Sequence, residues 1–202
     1  VGKTWVAARL IETLVAAGCR LAARKPVQSF EPDDDPAGRD GAVLARASGE
    51  DPGRVCPRSL PRAMAPPLAA RSLGLPPFTL DDLVAGLDWP HPPPEVGLVE
   101  GAGGLLSPLA EDGTGLDLLA RLDPDVVVLV AGAALGAINA VRLSAAALAG
   151  AGLAPPVVAL NRFDPGDEIA ASNAEVLRAD GLEVHGLPGA LAALAARVRG
   201  RP

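Results

Sequence analysis

The run Asp125-Val-Val-Val-Leu-Val-Ala131 constrains the fold of this chain more than any other stretch. It is apolar on both faces of an extended chain, with no polar alternation. A strand of that kind is covered on both sides, which is the situation of a central strand in a parallel sheet. Val96-Gly-Leu-Val-Glu100 and Pro156-Val-Val-Ala-Leu-Asn161 read the same way, and Arg20–Lys25 and Leu182–His185 add two more strands. Helical spacing fills the intervals. Val6, Leu10, Leu14 and Ala17 recur on one face before Gly18, and Ala42–Ala47 is closed by Gly49. Leu116–Leu122, Ala140–Ala149, a segment containing Ala174 and Leu177, and Leu191–Val198 follow. Strands alternating with helices predict an α/β fold, a doubly wound and mostly parallel sheet with helices on both faces. At 202 residues the chain is expected to form a single domain, residues 1–202, with a sizeable core.

Ligands in such sheets bind beyond the carboxyl ends of the strands, so the residues there matter most. Gly2-Lys3-Thr4 opens the first helix and is the tail of a phosphate-binding loop, G-x-x-x-x-G-K-[ST]. In that loop backbone N–H groups cradle phosphate, the lysine reaches the β and γ oxygens, and the hydroxyl ligates Mg²⁺. The next strand ends in Lys25-Pro-Val-Gln-Ser29, a second lysine one crossover away. Val96–Glu100 ends in a carboxylate followed by Gly101-Ala-Gly-Gly104, the arrangement in which an acid holds Mg²⁺ beside a phosphate loop. Asp40 opens a helix, where a carboxylate is either an N-cap or a metal ligand. Asp33–Asp35 read as a solvated loop. Gly132–Asn139 and Asn161 complete the strand ends. The start of the loop and the strand that feeds it are expected upstream of Val1, about 10–15 residues away, so the sheet lacks its first strand here.

Other segments are less chemical. Eleven of the 21 prolines fall between Pro52 and Pro94, yet apolar patches there predict short packed helices rather than a linker, with Thr79 as the N-cap of Leu80–Leu87. A net charge of −6 disfavours nucleic acid or an anionic membrane as partner. Cys19 and Cys56 form neither a disulfide framework nor a metal-ligand spacing, which fits a reducing cytoplasm. His91 and His185 read as loop or surface residues. The uncharged stretch 126–141 is short of the ~20 residues a membrane helix needs.

Taken together, Gly2-Lys3-Thr4, Lys25-Pro-Val-Gln-Ser29, Asp40 before Leu44-Ala45, Ala65-Pro66, Glu100-Gly-Ala-Gly-Gly104, Leu135-Gly-Ala-Ile-Asn139 and Leu160-Asn161 resemble dethiobiotin synthetases, members of the wider P-loop NTPase group. The matches keep the family's order up to about Pro188. The resemblance implies ATP-dependent carboxylation of 7,8-diaminononanoate by CO₂ and its closure to dethiobiotin in the cytoplasm, with Mg²⁺ as cofactor and ATP as substrate. It implies Lys3 and Lys25 as catalytic groups. Gly2, Lys3, Thr4, Glu100, Gly103, Asn161 and Pro188 would bind nucleotide. Ser29, Gly101, Gly136, Ile138 and Asn139 would bind substrate, and Thr4, Asp40 and Glu100 the metal. It further implies a homodimer whose substrate site is completed by the partner chain. The chain departs from the family at Trp5, at Gly132-Ala133, and in having no Tyr.

Three other readings stay open on the residues alone. One is a P-loop ATPase switch of the partitioning or metallo-insertion kind, which carries a further lysine early in the loop. Another is the ATP domain of a glutamine-dependent amidation enzyme. The last is a degenerate, non-catalytic homologue.

Overall fold

The computed structural model describes residues 1–200, which divide into two compact units, Val1–Thr13 with Asp123 onward and Leu14–Leu122. The division falls inside helix α1 (Lys3–Ala16), whose Val6, Leu10, Ile11 and Leu14 are buried. Gly18, at φ +75°, ends it, and the Cys19 N–H returns to the Leu14 carbonyl. A left-handed glycine at this place satisfies carbonyls that the last turn leaves open.

The unit 14–122 is built on two parallel pairs. Strand β1 (Leu21–Arg24) runs beside β4 (Val96–Val99), with Leu21 opposite Val96 and Arg24 opposite Val99. Strand β2 (Gln28–Ser29) pairs β3 (Ser59–Leu60). Helices α2 (Asp40–Ser48) and α3 (Pro52–Val55) pack on β1. The carboxylate of Glu50 accepts the Ala23 N–H, and Val55 accepts that of Lys25, so the polar edge of β1 away from β4 is covered rather than left open. The proline-rich segment does form short helices, α4 (Pro66–Ser72) and α5 (Leu80–Ala85). A hairpin of β5 (Pro108–Ala110) and β6 (Gly113–Thr114) then leads into α6 (Gly115–Leu122). The core joins Val27, Leu60, Phe78, Leu80, Leu109 and Leu118.

Thr79 caps α5 as expected, in a reciprocal box with Asp82: its hydroxyl accepts the Asp82 N–H while the Asp82 carboxylate accepts the Thr79 N–H. These bonds hold the Asp82 carboxyl below its ordinary pKa. Thr79→Ala is expected to cost about 1 kcal/mol of stability, read as a lower urea midpoint with an unchanged slope. An unchanged midpoint would show the box to be energetically idle.

The other unit carries a three-stranded parallel sheet in the order β7-β8-β9, formed by β7 (Val128–Gly132), β8 (Val157–Asn161) and β9 (Glu183–Gly186). Helices α7 (Ala137–Gly150), α8 (Glu168–Ala179) and α9 (Leu191–Arg199) follow these strands in turn. Among the described residues β8 lies between β7 and β9 and is buried along its whole length, while β7 is mostly half-buried. Both are apolar runs, and strand order decides which is covered. Ala131, Val141, Val158, Leu160, Ala174 and Leu177 make the core. Among the described residues no helix is long and apolar enough to cross a membrane.

Candidate active site

The register of β1 against β4 builds the centre of the site. Arg24 lies opposite Val99, so the next residues along the two parallel strands, Lys25 and Glu100, emerge side by side at their carboxyl ends. The Lys25 ammonium sits 2.8 Å from Glu100 Oε1 and 2.9 Å from Asp40 Oδ2, and it also donates to the Gly101 carbonyl at 3.2 Å. Lys25 and Glu100 are almost wholly buried, whereas the Asp40 side chain is 44% exposed and gives the cluster its open side. Burial by itself would lower the Lys25 pKa. The two carboxylates outweigh it and hold the ammonium above its ordinary value.

Asp40 is not the N-cap of α2. The cap is Arg39, which makes no capping side-chain bond, and Asp40 is the first helical residue. Its carboxylate points to Lys25 instead. Adjacent Arg24 faces the other way, as alternation in a strand requires. It is fully buried over the ring of Trp89, at 5.0 Å, and donates to Glu50 and to the Asp88 carbonyl. Nothing in the local sequence separates these two basic neighbours. One serves the site, and the other ties the 88–89 loop to β1.

A half-open cleft of about 260 Å³ adjoins this cluster, lined by Ser29, Phe30, Asp34, Asp35, Arg39 and Asp40. The Arg39 guanidinium stacks on Phe30 at 3.8 Å. Asp34 and Asp35 accept backbone N–H groups of the loop they belong to, as expected of a solvated turn. The Ser29 hydroxyl oxygen is buried and has no hydrogen-bond partner among the described residues. Gly103 is left-handed at φ +73°, and a Cβ there would meet Ser107 at 2.9 Å. The Ser107 hydroxyl accepts the Gly104 N–H, which holds the glycine turn after Glu100 in shape.

Among the described residues no group of three or more His, Cys, Asp or Glu side chains is placed to hold a metal. Two convergent carboxylates are a different donor set. Mg²⁺ prefers hard oxygens, keeps several waters, and is commonly held by one or two carboxylates together with substrate phosphates rather than by a protein cage. Asp40 and Glu100 fit that pattern.

In the other unit, Lys3 and Thr4 occupy the first turn of α1 and Gly2 precedes them at φ +87°. Backbone N–H groups and the positive end of the helix dipole are available there to an anion. Asn161, at the end of β8, donates from Nδ2 to the Val1 carbonyl at 3.0 Å and accepts the Arg162 N–H at Oδ1. A Cβ on Gly2 would lie 2.4 Å from Asn161 Nδ2, so only glycine fits. The amide thus fastens the start of α1 to β8, a role invisible in the sequence. Gly136 caps α7 at φ +93°, Ile138 packs against the core, and Asn139 is exposed. Pro188 follows β9.

A lysine-tipped helix start and a buried lysine between two acids, both on an α/β frame, are parts of a nucleotide-binding protein. Residues 1–188 match the family described as an AAA domain, which places the chain in the P-loop class. The chain is 40% identical to an ATP-dependent dethiobiotin synthetase of Corynebacterium efficiens, over 76% of this chain and 67% of that protein. With its counterpart from an Anaeromyxobacter species identity is 37%, over 91% and 82%, and with that of Rhodococcus erythropolis 41%, over 76% and 66%. The chain therefore spans about two thirds to four fifths of these relatives, and it belongs to the ATP-dependent dethiobiotin synthetase family of ligases.

Proposed function

We propose that the protein closes the ureido ring of dethiobiotin from 7,8-diaminononanoate, CO₂ and ATP. One amine takes up CO₂ as a carbamate. A carbamate oxygen attacks the γ-phosphorus, ADP leaves, and the second amine attacks the carbonyl carbon of the mixed anhydride and expels phosphate. The observation that carries this reading is the buried Lys25 ammonium held between Glu100 and Asp40, the latter a residue that lines the adjoining cleft. Phosphoryl transfer needs positioning and charge neutralisation more than a covalent group. A lysine held charged above its ordinary pKa supplies a fixed cation for the carbamate and phosphoryl oxygens.

Other assignments follow the same logic. Gly2, Lys3 and Thr4 grip phosphate. Asp40 and Glu100 would hold Mg²⁺, an ion that would offset charge on the phosphate oxygens. Ser29 donates its otherwise unused hydroxyl to the carbamate, and the Gly101 backbone, which accepts from Lys25, also faces the substrate. Gly103, Asn161 and Pro188 serve the nucleotide, with Asn161 keeping one amide hydrogen and one lone pair beyond its backbone bonds for a base edge. The protein is a cytoplasmic homodimer. The α7 start at Gly136, Ile138 and Asn139 offers backbone N–H groups to the substrate carboxylate of the partner's site, beside an exposed Leu135 and Leu143.

The test is product formation. Purified protein given diaminononanoate, bicarbonate and MgATP should release one phosphate per dethiobiotin, detected by mass spectrometry, with little ATP hydrolysis when the diamine is omitted. ATP hydrolysis indifferent to the diamine, with no dethiobiotin, would sink this reading in favour of an ATPase switch.

A further inference from the structure

The geometry points to Gln28 as a positioning residue that sets the Asp40 carboxylate for the metal. This inference rests on the reading of Asp40 as a metal ligand. Gln28 is 7% exposed, and its side-chain amide spans two other elements. Its Oε1 accepts the Gly41 N–H at 2.9 Å, and its Nε2 donates to the Ser59 hydroxyl at 2.8 Å. Its own N–H is bonded to the Arg58 carbonyl, so the residue is fixed at backbone and side chain alike.

The consequence falls on the first turn of α2. That helix has no side-chain cap, and the N–H groups of a first turn have no partner within the helix. Gln28 supplies one from outside, at the residue directly after Asp40. Gly41 has no slack: a Cβ there would lie 2.5 Å from Cys56 Cβ and 3.3 Å from Gln28 Nε2. The helix start is therefore seated against Cys56 and clamped by the Gln28 amide. Asp40 keeps a 44% exposed side chain at 2.9 Å from the Lys25 ammonium. An exposed carboxylate has many rotamers and little packing to choose among them. Fixing its backbone narrows the positions from which it can meet Lys25 and a metal. Outer partners of this kind typically change metal affinity about 10–100-fold when lost. Acting only through the backbone, Gln28 should cost less than that range when lost.

The measurement is Mn²⁺ affinity by electron paramagnetic resonance, with a non-hydrolysable ATP analogue present, alongside Tm. Gln28→Met keeps the volume and loses both bonds. It is expected to weaken Mn²⁺ binding roughly 3–10-fold and to raise the Mg²⁺ requirement for turnover, with kcat at saturating Mg²⁺ little changed. Gln28→Glu retains an oxygen for the Gly41 N–H and lets the Ser59 hydroxyl turn to donate, so it should restore affinity to within about twofold. A purely structural residue would lower Tm without this separation of KM for Mg²⁺ from kcat. Native affinity in Gln28→Met, while Asp40→Asn weakens binding, overturns the positioning role and leaves the metal reading intact. Unchanged affinity in Asp40→Asn removes the metal reading and this inference with it. If Gln28→Met does not fold, Ser59→Ala takes its place. It frees one end of the amide and should weaken binding by about threefold, and no change there overturns the role.

Discussion

Replacing Lys25 by alanine is expected to lower turnover about 100-fold or more, because it removes a charge aimed at the developing anion. The structure adds a second consequence. Lys25 is 1% exposed and is the counter-ion of Glu100, itself 6% exposed. Breaking a buried pair from one side strands the other charge, which costs about 3–5 kcal/mol. A lysine this deeply buried is part of the core. Turnover must therefore be measured per folded molecule, well below the Tm of the variant. Lys25→Ala with Glu100→Gln should recover much of the lost stability and none of the turnover. Lys3→Ala, at the half-buried start of a helix, should give a turnover loss of the same order with a smaller stability loss. Near-normal turnover in folded Lys25→Ala would end the assignment of Lys25 to the reaction.

The sign of the pH effect is also set. The folded pKa of Lys25 is raised, so its contribution to stability is complete below the ordinary lysine pKa and is lost as pH rises through the folded value. The stability gap between the native protein and Lys25→Met should stay flat through neutral pH and close only in strong alkali. A gap that closes below the ordinary lysine range would contradict the ion cluster.

Glu100→Gln keeps shape and loses charge, and it is expected to move the half-saturating Mg²⁺ concentration up at least tenfold. Loss of a direct ligand should cost no less than loss of an outer partner. Asp40→Asn should shift it in the same direction. Had Asp40 been a helix cap, the asparagine would have served equally well, since Asn and Asp cap alike. A shifted titration in both variants places both acids at the metal. A shift in Glu100→Gln alone would leave Asp40 as a partner of Lys25 only.

What the sequence determined by itself was local in origin. Apolar runs and helical spacing reveal strands and helices because side-chain direction repeats every two or 3.6 residues. Glycines at Gly18, Gly49 and Gly136 mark helix boundaries because their left-handed backbone excludes most side chains. Lys25, Glu100 and Asn161 stand out in the sequence because they end predicted strands, and strand ends are where such sheets bind ligands. What only the tertiary structure decided was long-range. β8 runs between β7 and β9, an order that no local pattern specifies. Lys25 meets Glu100, 75 residues away, because the parallel register sets Arg24 against Val99. Asp40 turns to the ammonium instead of capping its helix, and Gln28 reaches across to Gly41, because the electrostatics of a buried lysine and the fit of Gly41 against Cys56 exist only once these elements are packed. Pattern periodicity reports which face of an element is buried. It carries no information on which element covers it, and in this protein that choice assembles the candidate site.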